Sequence, residues 1–229
     1  MDIRLHYTET GTGEPLVLLH GNGEDSSYFV HQIAFFSRQY RVLAVDTRGH
    51  GQSPRGSAPF TIRQFAEDLL AFLDERGIEQ TDLLGFSDGA NIALVFALRH
   101  PERVKRLILN GANLDPAGVK PTVQIPIELG YRLARLFAKR SADAKQHAEL
   151  LGLMVNDPMI PLEDLKKVSA PTLVIAGKRD MIRESHTRAI AQALPNARLV
   201  FLPGDHFIAH KNPEEFNRAV DAFLTETEG

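Results

Sequence analysis

The feature that most constrains how this 229-residue chain can fold is an alternation. Short runs of β-branched and aliphatic residues are separated, one after another, by stretches with helical periodicity. The runs lie at residues 15–19, 40–45, 82–85, 105–109, 172–176 and 198–202. Most are apolar at consecutive positions, as strands covered on both faces are. The segments at about 27–38, 62–76, 87–99, 185–194 and 213–224 instead place apolar residues three and four apart, as Phe65, Leu69, Phe72 and Leu73 do. A further run, 3–8, alternates apolar and polar residues and precedes Gly11-Thr12-Gly13, so it reads as an antiparallel edge strand turning into the first buried one. The order predicts an α/β fold: a mainly parallel sheet of about seven strands, helices on both faces, and one domain over 1–229. Residues 115–169 break the pattern, because helical segments at 127–138 and 142–155 stand where one crossover helix would suffice. That excess predicts a small helical lid.

Composition narrows the function. Lysine and arginine number 26 against 29 aspartates and glutamates, so the net charge is −3 and there is no basic excess to attract nucleic acid. The chain has no cysteine, which removes disulfides, thiolate metal sites and a cysteine nucleophile together. Residues 1–7 lack the apolar core of a signal peptide, and no run reaches membrane-spanning length. A cytoplasmic protein with no membrane partner is expected.

Gly85-Phe86-Ser87-Asp88-Gly89 stands between a predicted strand and a predicted helix. A serine at such a turn is held in a strained backbone with its hydroxyl beyond the carboxyl end of the sheet, and the helix N-terminus behind it offers free N–H groups. A helix-capping serine between turn glycines would look the same in isolation. His20-Gly21-Asn22-Gly23 follows another strand, and its glycines let a loop pass close to a ligand, with the Asn22 N–H as a second donor to an oxyanion. Asp180 comes directly after the run 172–176 and His206 after 198–202. In a parallel sheet these strand ends share one edge, so Ser87, Asp180 and His206 converge there as nucleophile, orienting acid and general base. Read separately, Asp180 is a solvated loop carboxylate and His206 a packing histidine; together, that reading needs three coincidences. The remaining histidines show no metal-ligand spacing, and no phosphate or dinucleotide fingerprint is present, so neither metal nor cofactor is expected. Arg132, Arg135, Lys139 and Arg140 read as a solvated helix face.

With these motifs in that order the chain resembles the α/β-hydrolase family along nearly its whole length. Asp46-Thr47-Arg48-Gly49-His50-Gly51-Gln52-Ser53 is similar to the family's Asp-x-Arg-Gly-x-Gly-x-Ser loop, which is structural there, so the resemblance sets His50 aside as the base. The first strand-like run takes the place of the family's second strand, and the lid is short. The elbow, with Asp88 after the serine, is similar to that of the biphenyl-hydrolase-like branch, which includes hydrolases of α-amino acid esters.

The resulting expectation is a cofactor-free serine hydrolase of a small carboxylic ester. Ser87, Asp180 and His206 form its triad, the N–H groups of Asn22 and Asp88 its oxyanion hole, and Asp88, Phe86 and Phe207 are candidate substrate contacts. Asp115, after another strand, is the rival for the acid. Competing readings keep the fold and change the function: a ligand receptor, or a same-triad enzyme that breaks a C–C bond, acts as a lyase or makes peracids.

Overall fold

A computed structural model describes residues 2–226. Its strands are β1 (Tyr7–Thr10), β2 (Glu14–Leu19), β3 (Tyr40–Val45), β4 (Thr81–Phe86), β5 (Val104–Asn110), β6 (Thr172–Gly177) and β7 (Ala197–Leu202). They form one sheet in the order β1-β3-β2-β4-β5-β6-β7, parallel except for β1. Burial on both faces follows from the sequence of the central strands. In β2, Val17 and Leu19 enter one apolar core with Phe65, Leu69 and Phe96, while Leu16 and Leu18 enter the other with Phe36, Phe216 and Val220. Period-2 alternation therefore feeds two cores from one apolar run.

Helices α2 (Ile62–Glu75), α3 (Asp88–Arg99) and α6 (Glu184–Ala193) supply the first core, and α1 (Val30–Phe36), α7 (Ile208–Lys211) and α8 (Pro213–Thr225) the second. Between β5 and β6 the chain makes α4 (Pro121–Phe137) and α5 (Ala142–Asn156), an antiparallel pair at the stretch where the lid is expected. Among the described residues no helix is long and apolar enough to cross a membrane.

Three elements depart from expectation. The first strand begins at Tyr7 and not at residue 3, because the His6 N–H is taken by the Ser53 hydroxyl at 2.7 Å and Asp2 is drawn to Arg48. It makes no hairpin with β2 either. Both edges of that apolar strand are occupied, by β3 and β4, and β1 pairs antiparallel with the far side of β3. Gly11, at φ 84°, makes the crossing possible, since a Cβ there would collide with the carbonyl oxygens of Ser37 and Tyr40. The helix expected at 27–38 is a 3-10 turn, Ser26–Phe29, followed by α1. The helix α4 starts six residues before the expected position: Pro121 occupies its first turn, where the missing N–H costs nothing, and Pro126 sits inside it.

Candidate active site

Because β4, β5, β6 and β7 are parallel neighbours, the loops at their carboxyl ends meet on one edge. Ser87 follows β4 in a backbone conformation of φ 53°, ψ −120°, the one positive φ outside glycine among the described residues. The turn is locked from all sides. The Ser87 N–H donates to the Asn110 carbonyl at 2.8 Å, and its own carbonyl accepts from Ala90 and Asn91. A Cβ on Gly85 would strike the Gly89 carbonyl, and one on Gly89 would strike the carbonyls of Leu19 and His20. The two glycines of the motif are thus contact points between backbones, which is why small residues flank the serine.

His206, buried after β7, places Nε2 3.0 Å from Ser87 Oγ and Nδ1 2.7 Å from Asp180 Oδ1, although 119 residues separate the serine from the histidine. Asp180 Oδ1 also accepts the Ile182 N–H at 2.9 Å. An ionised carboxylate has no proton to give, so Nδ1 carries the hydrogen and Nε2 is left to accept from the serine hydroxyl. Gly111, at φ 66°, borders this pair, and a Cβ there would stand 2.6 Å from His206 Cε1. Asp115 is engaged elsewhere, since its Oδ1 accepts the Gly118 N–H at 3.1 Å and starts the turn Pro116–Gly118.

Of the two backbone groups expected as oxyanion donors, Asp88 stands at the elbow and Asn22 in the loop after β2. Asp88 opens α3, so its N–H is among those with no intrahelical acceptor. In the β2/β4 register Leu19 faces Gly85, which sets the loop carrying Asn22 beside the serine. That loop is braced by His20. The Thr47 N–H donates to His20 Nε2 at 3.0 Å, so the ring proton is on Nδ1, which donates to the Gly21 carbonyl at 2.7 Å. Burial lowers the His20 pKa and keeps this neutral form in place. The Asn22 side chain donates to the Leu150 carbonyl of α5 at 2.8 Å, tying the helical pair to the site.

Asp88 is 8% exposed; Asn91 Nδ2 reaches its Oδ1 at 3.4 Å, while Oδ2 has no hydrogen-bond partner. Burial, reinforced by the nearby Asp157, pushes its pKa up to about 6 against the pull of the neighbouring Asn22 and Asn91 amides. The two aromatic candidates separate. Phe86 is 1% exposed, stacked on Tyr28 at 4.4 Å with His206 4.9 Å away, so it supports the histidine and has no free face for a substrate. Phe207 is 38% exposed and lines a cleft of about 460 Å³ with Glu24, Tyr28 and His210.

Sequence reasoning missed Glu24 and Asp157. Burial pushes Glu24 up to about 7, and its Oε2 accepts the Gly21 N–H at 3.2 Å, close enough to His206 to feel its charge. Asp157 is likewise raised by burial. Glu24 stands in the same loop as Asn22, but nothing in a single sequence says that its side chain folds back over the loop. His50 belongs to the structural loop: burial first, then the neighbouring His20, lowers it to about 4. Among the described residues no group of three or more metal-ligating side chains is placed to hold an ion.

This fold is that of a known class. Residues 14–137, more than half of the chain, match the alpha/beta hydrolase fold family, and the protein belongs to it. It is 29% identical to 2-hydroxymuconate semialdehyde hydrolase of Pseudomonas putida, over 98% of this chain and 92% of that one. The solved enol-lactonase from Burkholderia xenovorans LB400 superposes with a TM-score of 0.83 at 27% identity, covering 98% of this chain and 97% of its own. A thermophilic esterase from Thermogutta terrifontis, solved with malate bound, gives 0.81 at 25% identity, covering 97% and 93%.

Proposed function

We propose that the protein cleaves a small carboxylic ester through an acyl-enzyme on Ser87. The observation that carries this reading is the unbroken chain that starts on a serine held at positive φ and runs from Ser87 Oγ to His206 (3.0 Å) to Asp180 (2.7 Å). In the first half-reaction Oγ attacks the ester carbonyl and its proton passes to His206 Nε2, while Asp180 steadies the imidazolium through Nδ1. The carbonyl oxygen takes the negative charge and rests on the Asn22 and Asp88 N–H groups. Removing such a donor costs about 3–4 kcal/mol in other serine hydrolases. Collapse expels the alcohol, which takes the proton back from His206. Water then repeats the sequence on the acyl group and releases the acid, so Ser87, His206 and water supply every proton and electron pair.

The carboxyl groups around the serine bear on the substrate. Here Asp88 directly follows Ser87 and lies near Asp157, and Glu24 is close enough to His206 to interact with its charge. An added anion is disfavoured in such a site, which supports a neutral or cationic ester.

Ser87→Ala tests the reading. The variant should fold as the parent does, lose labelling by a fluorophosphonate probe, and hydrolyse short-chain nitrophenyl esters at least about a thousandfold more slowly. A folded Ser87→Ala protein with near-parental rates would overturn it.

A further inference from the structure

Of the two N–H groups that would receive the oxyanion, that of Asp88 is aimed by α3, whereas that of Asn22 sits in a loop and is aimed by no regular element. A side chain outside the triad grips that loop. Glu24 Oε2 accepts the Gly21 N–H at 3.2 Å, and the Glu24 N–H donates to the Gly21 carbonyl at 3.3 Å, so one residue holds both polar groups of Gly21. We propose that Glu24 is a positioning residue for ester hydrolysis, fixing the two peptide units around Gly21 so that the Asn22 N–H faces the developing oxyanion. The inference rests on the acyl-enzyme reading and adds to it the residue that sets one of its two donors.

The reason is peptide geometry. A peptide unit is planar and trans, so whatever fixes its carbonyl also fixes the N–H on the opposite side. The carbonyl that shares a unit with the Asn22 N–H is that of Gly21, and it accepts both the His20 Nδ1 hydrogen at 2.7 Å and the Glu24 N–H. With this carbonyl drawn into the turn that Gly23 completes at φ 75°, the Asn22 N–H points out of it, and it has no acceptor among the described residues. The preceding unit is pinned as well. Its carbonyl, that of His20, abuts the elbow, where a Cβ on Gly89 would lie 2.5 Å from the oxygen, and its N–H is the one that Glu24 holds.

Glycine is the residue whose backbone most needs such pinning, because without a Cβ its φ and ψ are the least restricted. A side chain cannot replace the clamp, since a Cβ on Gly21 would meet Glu24 Oε2 and the Phe86 ring, each at 3.0 Å. The Glu24 carboxyl therefore packs on the same face of Gly21 as Phe86, the ring that supports His206. Gly21 is buried, and its N–H has no second acceptor among the described residues. Withdrawing the carboxyl leaves a buried donor unpaired, and the peptide turns to find another partner. What the clamp requires is an acceptor oxygen at the reach of a glutamate, and an amide oxygen at that reach serves as a carboxylate oxygen does.

Steady-state hydrolysis of p-nitrophenyl acetate by three variants of the full chain, each with parental circular dichroism, tests the proposal. Glu24→Ala should lower kcat by about 10–100-fold, less than the outright loss of a donor, with KM within about threefold, because the oxyanion forms only in the transition states of the two half-reactions. Inhibition by phenylboronic acid, whose tetrahedral adduct on Ser87 puts an oxygen at the same N–H groups, should weaken by a similar factor. Glu24→Gln keeps both reach and acceptor and should stay within about threefold of the parental kcat. Glu24→Asp keeps the charge but stops one methylene short of Gly21, and it should be as slow as Glu24→Ala. A role played by charge alone predicts the reverse order, so this pair decides even where the alanine variant does not fold. Near-parental kcat in Glu24→Ala or Glu24→Asp, a loss confined to KM, or a Glu24→Gln protein as slow as Glu24→Ala would each overturn the proposal while hydrolysis still depends on Ser87. Hydrolysis that persists in Ser87→Ala overturns instead the reading on which it rests.

Discussion

A serine at φ 53° costs of order 1–3 kcal/mol of backbone strain, and it persists because Gly85, Gly89 and the Asn110 carbonyl leave the turn no other conformation. The orienting acid is decided at the same scale. Asp180 lies 2.7 Å from His206 while Asp115 caps a turn, so Asp180→Asn should lower kcat by about 10⁴, as a wrong-tautomer histidine does elsewhere, and Asp115→Asn by less than about tenfold. Steady-state kinetics of the two variants decides between them, and a larger loss for Asp115→Asn would transfer the role. Asp88 poses a different question, because its unpaired Oδ2 beside the elbow suits a substrate ammonium group. Replacing it with asparagine should lower kcat/KM for an α-amino ester relative to its des-amino analogue by about tenfold or more, the worth of a charge-assisted hydrogen bond. An unchanged ratio would leave Asp88 as a helix-start residue favoured by the α3 dipole.

Among the connecting elements, the loop from Asp46 to Ser53 positions others without touching the chemistry. Asp46 accepts the Ser26 and Gln52 N–H groups at 2.8 and 2.9 Å, and Thr47 braces His20. The fully buried Arg48 clamps Asp68 of α2 through two bonds of 2.6 and 2.7 Å and reaches Asp2 at 2.6 Å. Removing one partner of such a pair leaves the other charge buried. Asp68→Asn should therefore lower stability by about 3–5 kcal/mol in chemical denaturation, with ester hydrolysis per folded molecule unchanged. A loss below about 1 kcal/mol would mean that Arg48 finds other acceptors. The insertion is tied to this loop by the Gln146 side chain, which donates to the Gly49 carbonyl at 3.0 Å, and to the chain just beyond it by Arg55 and Glu149 at 2.7 and 2.8 Å.

For the whole molecule, buried carboxyls couple stability to pH. Asp88 and Glu24 are raised to about 6 and about 7 from ordinary values of 3.8 and 4.5, so the folded chain holds their protons more tightly than the unfolded one. Their contribution to stability is complete below the unfolded values and is lost as pH rises through the folded ones. Thermal unfolding should show it: the Tm of the parent minus that of Glu24→Gln should fall between pH 4.5 and about 7 and stay level outside that window. A difference independent of pH would mean that Glu24 titrates alike in both states. Much of this molecule was legible from residues alone. The two-faced apolar runs dictated buried parallel strands, and parallel strands bring Ser87, Asp180 and His206 to one edge wherever the rest of the chain goes. What spacing could not decide was anything set by which strand sits beside which. The edge strand pairs with β3 because the more apolar β2 takes the centre, and Phe86 faces the Tyr28 core because strand register points it there. Glu24 becomes a half-buried acid only once the loop closes over Gly21, and the outer apolar face of α4 is exposed only because α5 occupies the other side. Periodicity is a local property of the chain and can be read there, whereas burial is conferred by neighbours distant in sequence, and it is burial that sets a carboxyl's charge and an apolar face's need for a partner.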